Sequence, residues 1–409
     1  MTKPQEEVTV SWVDETTGRD YARLVHVSRL AQLSVELSTS CNLACVYCHF
    51  APLDRRGNDM AVDTIERVIE FCTSFPVDIV TLSGDAEITM FKGWETVAKR
   101  LLDAGVNLRT ICNFTNGIFS EEQVDAFSRF TEILVSLDTA DAHLLKKTRY
   151  RADLRTITLN VTAIRAKCIL DDRPQPNFIC NTVVSDKNLP VLDKLTAFAI
   201  AAGFNMISLQ RLVGVEEVEG GKNDFFDNPN AIPVFPLHAM EKDAAHAGLT
   251  ALQRAMKLAE GRIEFSMHPA ISGELGRLID YINGIIETAA PPSVTPVPVN
   301  EIGARGDDGQ TLSAPKRTKA CLMPWNFMHV MWTGEIPPCC IVKDQFVGKT
   351  DDAPLAGIFN SDEMKQYRMG LLSGNMPDVC KTCTYMPDTD VDALSVAVES
   401  HLRQTGQTL

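Results

Sequence analysis

The 409-residue chain has no apolar run approaching the ~18–20 residues that cross a bilayer, so no membrane partner is expected. It also lacks basic excess: Lys+Arg 39 against Asp+Glu 53 give a net charge of −14. Nucleic acids and anionic surfaces require a basic footprint, so nucleic acid is not expected as a partner either. The opening stretch MTKPQEEVTV has no apolar core and does not read as a secretory signal. A reducing, cytoplasmic compartment is therefore expected, where disulfides are rare. No internal repeat appears beyond a strand–helix alternation, and there is no low-complexity tail. What the chain does have is cysteine, twelve of them. In a reducing compartment these do not read as six disulfides, so some are expected to bind metal or do chemistry. At ~100–200 residues per domain, the length suggests two or three domains.

The cysteines fall into two groups and a scatter. Cys41, Cys45 and Cys48 sit together in STSCNLACVYCHF; Cys321, Cys339, Cys340, Cys380 and Cys383 crowd the last quarter. Cys72, Cys112, Cys168 and Cys180 lie singly between. Cys72 continues the helical series Ile65, Val68, Ile69, and the scattered four read as buried core residues.

Six short β-branched, apolar runs recur at 33–37, 77–82, 108–112, 133–137, 178–184 and 206–210, with helix signals between them. Asp63-Thr64-Ile65-Glu66 and Ser120-x-x-Gln123 have capping-box spacing. Gly105 and Gly203 are placed to close helices. Such alternation predicts right-handed βαβ units and an α/β fold with a parallel sheet. Six units are two short of a (β/α)₈ barrel, so a partial (β/α)₆ TIM-like barrel is expected. The expected division is an N-terminal extension (1–30), the barrel (31–214), a helical and linker segment (215–318), and a cysteine-rich domain (319–409).

Cys41-x3-Cys45-x2-Cys48 directly follows the first predicted strand. Thiolate-rich sites suit zinc or iron–sulfur clusters. A structural zinc site is normally closed by four ligands; a cubane held by three leaves one iron open. His49 is a conceivable fourth ligand, but it adjoins Cys48 and strains that geometry.

With Tyr47 just before the last cysteine, this motif resembles that of the radical S-adenosylmethionine (SAM) enzymes. The resemblance implies a [4Fe–4S] cluster on the three cysteines. Its fourth iron would bind the amine and carboxylate of SAM, whose reductive cleavage yields a 5′-deoxyadenosyl radical. Further motifs extend the resemblance. Gly84-Asp85-Ala86-Glu87 is similar to the family's GGE motif for the SAM amine, but carries an extra residue, so Asp85 shares or displaces the role of Glu87. Thr115-Asn116-Gly117 resembles the family's TNG turn, and Ser136-Leu137-Asp138 its S-L-D. Arg149 stands where the family has an arginine; with Ser136 it would contact the SAM carboxylate or ribose. Singly, Gly84 and Gly117 read equally well as turn residues and Asp138 as a helix N-cap. Together, all these motifs end predicted strands, on the face where βα barrels place chemistry.

Cys321, Cys339 and the pair Cys380-x-x-Cys383 give four spaced thiols in a stretch of modest apolar content, one that would need metal to fold. The resemblance is to the auxiliary-cluster domains of radical SAM enzymes, SPASM with two clusters and twitch with one. No cysteine follows Cys383, so one auxiliary [4Fe–4S] cluster is expected, serving electron transfer. Cys340 is left over: hydrogen-atom donor, filler or alternate ligand. Trp325 and Trp332 are expected to pack around the cluster.

The resulting expectation is a radical SAM oxidoreductase or epimerase. Its substrate would be a small molecule of carbohydrate or aminocyclitol type in natural-product biosynthesis, and its reductant a donor such as flavodoxin or ferredoxin. A peptide-modifying enzyme is the alternative; only about 30 residues precede the first strand, too few for a leader-binding domain with its own core. A zinc-binding non-enzyme is the distant alternative.

Overall fold

The computed structural model describes residues 12–13, 18–48, 57–84, 86–212, 231–285, 316–342, 344–383 and 385–407. By contact density the chain forms two units. One comprises Met1–Ser34, Ala61–Ile79 and Thr295–Leu409; the other Val35–Met60 and Val80–Val294. Eight strands form the main sheet: β1 (Leu30–Val35), β2 (Val77–Leu82), β3 (Leu108–Cys112), β4 (Glu132–Ser136), β5 (Asn177–Val184), β6 (Met206–Arg211), β7 (Glu264–Met267) and β8 (Phe327–Val330), in the order β8-β1-β2-β3-β4-β5-β6-β7. The fold is mixed α/β, consistent with a partial TIM-like barrel.

In the larger unit the pairings from β2 through β7 are all parallel. Helices Trp94–Asp103, Glu121–Ser128, Leu154–Leu170 and Leu192–Ala202 alternate with the strands. Ile133, Val135, Phe178, Cys180, Ile207 and Leu209, alternate positions that share one face of the sheet, are all fully buried. Five aromatic rings, Trp94, Phe114, Phe119, Phe127 and Phe130, pack on one another with Phe127 at the centre.

Expected and observed elements differ in three places. The first strand begins at Leu30, not residue 33, and stops at Val35: the Leu37 carbonyl accepts from the Met60 N–H and Ser38 bridges Asp59, so the chain turns away there. Strands β7 and β8 extend the sheet beyond the six expected. Ser120 and Gln123 form the expected capping box, but Asp63 forms none. Ala61 occupies the N-cap and Asp63 lies inside helix Val62–Ser74, where its charge complements the helix dipole. Gly203 ends Leu192–Ala202 at φ +80°, a conformation suited to glycine.

The smaller unit is built on helices Val62–Ser74, Asp362–Ser373 and Val391–Gln404 and two short antiparallel ladders. Arg317–Lys319 pairs with Asp388–Asp390, and Glu335–Ile336 with Gly348–Lys349. Buried Arg368 stitches this unit internally, donating to the carbonyls of Pro324, Val25 and Phe359 at 2.7–2.8 Å. No helix among the described residues is long and apolar enough to cross a membrane. The stretches 214–230, expected as loop, and 291–315, most of the linker expected over 291–319, lie outside the described residues; the end of that linker forms the strand Arg317–Lys319 instead.

Candidate active site and cluster sites

In the larger unit the chain leaves β1 and enters the Cys41–Cys48 loop, which polar contacts fasten to neighbouring strand ends. The Glu87 N–H donates to the Ser40 carbonyl at 3.0 Å. Asn42 receives Asn113 Nδ2 at 2.8 Å and donates to Thr115 Oγ1 at 3.2 Å. The loop's second half forms a two-residue antiparallel ladder, Ala44–Cys45 with Arg149–Tyr150. The Leu43 N–H points at Cys41 Sγ (3.4 Å), and the Cys48 N–H bonds the Cys45 carbonyl (3.0 Å). All twelve cysteines are thiols, with no disulfide.

Cys45, Cys41 and Cys48 lie within electrostatic reach of one another. Burial pushes the Cys45 thiol up to about 12; Arg149 opposes that shift, and the other two thiols add to it. Beside them is a buried polar knot. Asp138 accepts from Arg149 Nε (2.7 Å) and Nη2 (3.1 Å), from the Val183 N–H (3.0 Å) and from the Tyr47 hydroxyl. Burial alone would lower the Arg149 pKa, but Asp138, Tyr47 and Cys45 together outweigh it and hold the guanidinium charged.

The other expected site residues sit as follows. Gly84 lies against Glu36; a Cβ there would come within 2.5 Å of Glu36 Cγ, so only glycine fits. Glu87 is buried and accepts from the Asn113 N–H (2.7 Å) and Thr89 Oγ1 (2.8 Å). Burial raises its pKa to about 7 against those bonds. Asn116 donates to the Thr89 carbonyl at 3.0 Å, and Gly117 turns at φ +80°. Ser136 ends β4 beside Asn181 of β5. Asp138 caps no helix; Asp141 caps Ala142–Thr148 instead. Asp85 and His49 lie outside the described residues. Sequence reading missed Glu36, Asn42 and Asn113; a fully buried glutamate in the apolar run before the cysteines was the available signal.

In the smaller unit the two ladders gather the second group. Cys321 follows Arg317–Lys319, Cys339 follows Glu335–Ile336, and Cys380 and Cys383 precede Asp388–Asp390. Burial pushes the Cys321 thiol up to about 12, and Cys339, Cys380 and Cys383 push the same way. Burial, then Cys339 and Cys383, raises Cys380 to about 11, with Lys319 opposing. Cys340 is half-buried, as is Cys339. Trp325 is buried, its indole N–H bonded to the Leu24 carbonyl at 2.6 Å. Among the described residues no group of three or more His, Cys, Asp or Glu side chains is drawn close enough for a single metal ion. As donor sets, three thiols and four thiols both suit iron–sulfur clusters.

Two family descriptions match. Residues 35–169 match the radical SAM superfamily, and residues 321–384 an iron–sulfur cluster-binding domain, SPASM. The chain therefore carries a radical SAM domain and a C-terminal SPASM domain, which imply [4Fe–4S] clusters and SAM as its cofactors. Two curated relatives are each described as a probable GTP 3′,8-cyclase. That of Methanocella arvoryzae is 25% identical over 115 residues, 28% of this chain and 36% of its own length. That of Sulfurisphaera tokodaii is 24% identical over 296 residues, 72% of this chain and 81% of its own. The chain thus spans about a third of the first relative. Among solved structures, SuiB of Streptococcus suis is similar at a TM-score of 0.57, 12% identity, covering 86% of this chain and 70% of that one, a likeness of fold alone.

Proposed function

We propose that this chain is a radical SAM oxidoreductase that dehydrogenates a small molecule bearing a secondary alcohol, of carbohydrate or aminocyclitol type. Cys41, Cys45 and Cys48 would hold the SAM-binding cluster, and Cys321, Cys339, Cys380 and Cys383 the auxiliary one. When bound, these groups supply a 5′-deoxyadenosyl radical that takes a substrate hydrogen, and an acceptor for the electron then left on the substrate. The residues' part is to bind, orient and exclude water. Buried Glu87 suits the SAM amine, and Gly84 lets the preceding backbone lie against Glu36. Ser136 ends β4 and Asn116 lies in the loop after β3, in the same unit, and both suit further SAM contacts.

The observation that carries the oxidative reading is the second thiol group: Cys321 feels Cys339, Cys380 and Cys383 together. Four protein thiolates leave no iron open to substrate, which favours electron transfer over substrate ligation. The test is the double variant Cys380→Ala/Cys383→Ala, incubated anaerobically with SAM, a chemical reductant and aminocyclitol substrates. We expect 5′-deoxyadenosine to form while the product two hydrogens lighter disappears. If the variant still makes that product, the oxidative reading falls.

The match over 72% of the chain to one relative described as a probable GTP 3′,8-cyclase favours a second reading, ring closure on a nucleotide. Cyclisation of this kind keeps the substrate's mass, as does epimerisation, so product mass separates both from dehydrogenation. Solvent deuterium in the product would mark epimerisation.

A further inference from the structure

Arg149 faces Cys45 because the strand register puts it there. In the ladder of Ala44–Cys45 with Arg149–Tyr150 the two residues are direct partners, and the neighbouring Val46 N–H donates to the Thr148 carbonyl at 2.9 Å. A guanidinium has a side edge, Nε and Nη2, and a remaining nitrogen, Nη1. The side edge of Arg149 is engaged by Asp138 at 2.7 and 3.1 Å. Asp138 is itself fixed by the Val183 N–H and the Tyr47 hydroxyl. The Tyr47 ring lies 5.4 Å from the guanidinium carbon. With Asp138 on its side edge and the Tyr47 ring over its face, the group aims Nη1 at Cys45 Sγ, 3.8 Å away. The Arg149 and Asp138 side chains are 8% and 3% exposed, so water competes little for these bonds.

The arrangement leaves the bidentate edge of Arg149 closed to the SAM carboxylate and directs its free donor at a cluster ligand. Hydrogen bonds to ligand sulfurs and local charge are what set the potentials of iron–sulfur clusters. An N–H donated to sulfur stabilises the more negative, reduced state. Asp138 cancels most of the bare positive charge, so the directed bond is the larger remaining influence. We propose that Arg149 is a positioning residue held by Asp138 and Tyr47, and that its N–H···S bond to Cys45 raises the reduction potential of the cluster on Cys41, Cys45 and Cys48. This rests on the assignment of that cluster to these three cysteines.

The test uses the full chain carrying Cys380→Ala/Cys383→Ala, so that only the first cluster contributes signal. Its midpoint is measured by potentiometric titration with EPR detection, without SAM, so that a role confined to holding SAM would not move it. Adding Arg149→Met with Asp138→Asn removes the buried pair together. Reduction should then be about tenfold less favourable, a fall of about 59 mV for a one-electron couple. Arg149→Lys should shift the midpoint the same way by less, since one ammonium cannot serve Asp138 and Cys45 together. An unchanged midpoint in both variants overturns the proposal.

A second measurement needs no altered fold. In otherwise unmodified Arg149 protein labelled with ¹⁵N-arginine, pulsed EPR of the reduced cluster should show a ¹⁵N coupling that Arg149→Lys abolishes. Its absence from the Arg149 protein overturns the proposal. If the Cys380→Ala/Cys383→Ala protein binds no four-iron cluster at all, the assignment of Cys41, Cys45 and Cys48 fails instead, which iron analysis tells apart from a loaded cluster with an unmoved potential.

Discussion

The two thiol centres are supported in opposite ways. Around Cys45 the charges are buried, paired and directional: Asp138 takes the whole side edge of Arg149, and one nitrogen is left for sulfur. Around Cys380 the nearby cation is Lys319, whose ammonium is 2.8 Å from the half-exposed carboxylate of Asp388 and acts on the thiol through space. The first arrangement fixes a geometry; the second only biases a charge. A centre that must leave room for a ligand benefits from rigid walls, whereas a closed set of four thiols supplies its own frame.

The sharpest way to break this comparison is to delete each centre in turn. Replacing Cys41, Cys45 and Cys48 by alanine should abolish 5′-deoxyadenosine formation while iron at the second centre remains, read by chromatography and iron analysis. Failure to lose SAM cleavage would reverse the assignment of roles.

Next in size is the knot itself. Asp138→Ala leaves the Arg149 guanidinium buried without its carboxylate, and breaking a buried pair this way costs about 3–5 kcal/mol. Urea unfolding should show a loss of that order, against less than about 1 kcal/mol for Asp388→Ala, whose carboxylate is exposed to water although Lys319 is buried. Equal losses would dissolve the distinction between the centres.

A somewhat smaller effect is expected from Glu87. Burial raises its pKa from 4.5 to about 7, so the folded chain penalises the ionised form. Its contribution to stability is therefore fullest below about pH 4.5 and is lost as pH rises through about 7. The difference amounts to about 3 kcal/mol. Melting temperature followed across that window should show the slope in the unmodified chain and a flatter profile in Glu87→Gln. The smallest shift belongs to Lys319→Met. It should lower the potential of the second cluster by less than the Arg149 substitution lowers the first, because Asp388 already offsets much of the lysine's charge.

The parts legible in the sequence are those written in local pattern. Runs 77–82 and 108–112 are strands at those residues, and the runs near 133, 178 and 206 are displaced by at most a residue or so at their ends. Both cysteine groups declared themselves by spacing, and the matches to residues 35–169 and 321–384 bear out that family reading. What stayed hidden is set by tertiary contact. Strand β7, Glu264-Phe265-Ser266-Met267, alternates polar and apolar residues, but over only four positions, the shortest run that pattern can mark. The ladder that pairs Cys45 with Arg149 is two residues long and joins segments 104 positions apart, beyond any periodicity. Asn113 serves the site with a backbone N–H to Glu87 and an amide to Asn42, and neither is visible in a residue type.

That two-residue ladder also bears on how the protein is made. Its halves emerge from the ribosome separated by about a hundred residues, roughly 5–20 s of synthesis at ~5–20 residues per second. Until Arg149 arrives and the intervening strands have paired, the first three cysteines have no wall on that side, and closing so long a loop is a late, entropically costly event. Metal delivered to the nascent chain would meet three loosely held thiols. Faithful loading is therefore expected to follow folding of the parallel sheet rather than to nucleate it, the reverse of a small domain such as the second thiol unit, which would need its metal to fold.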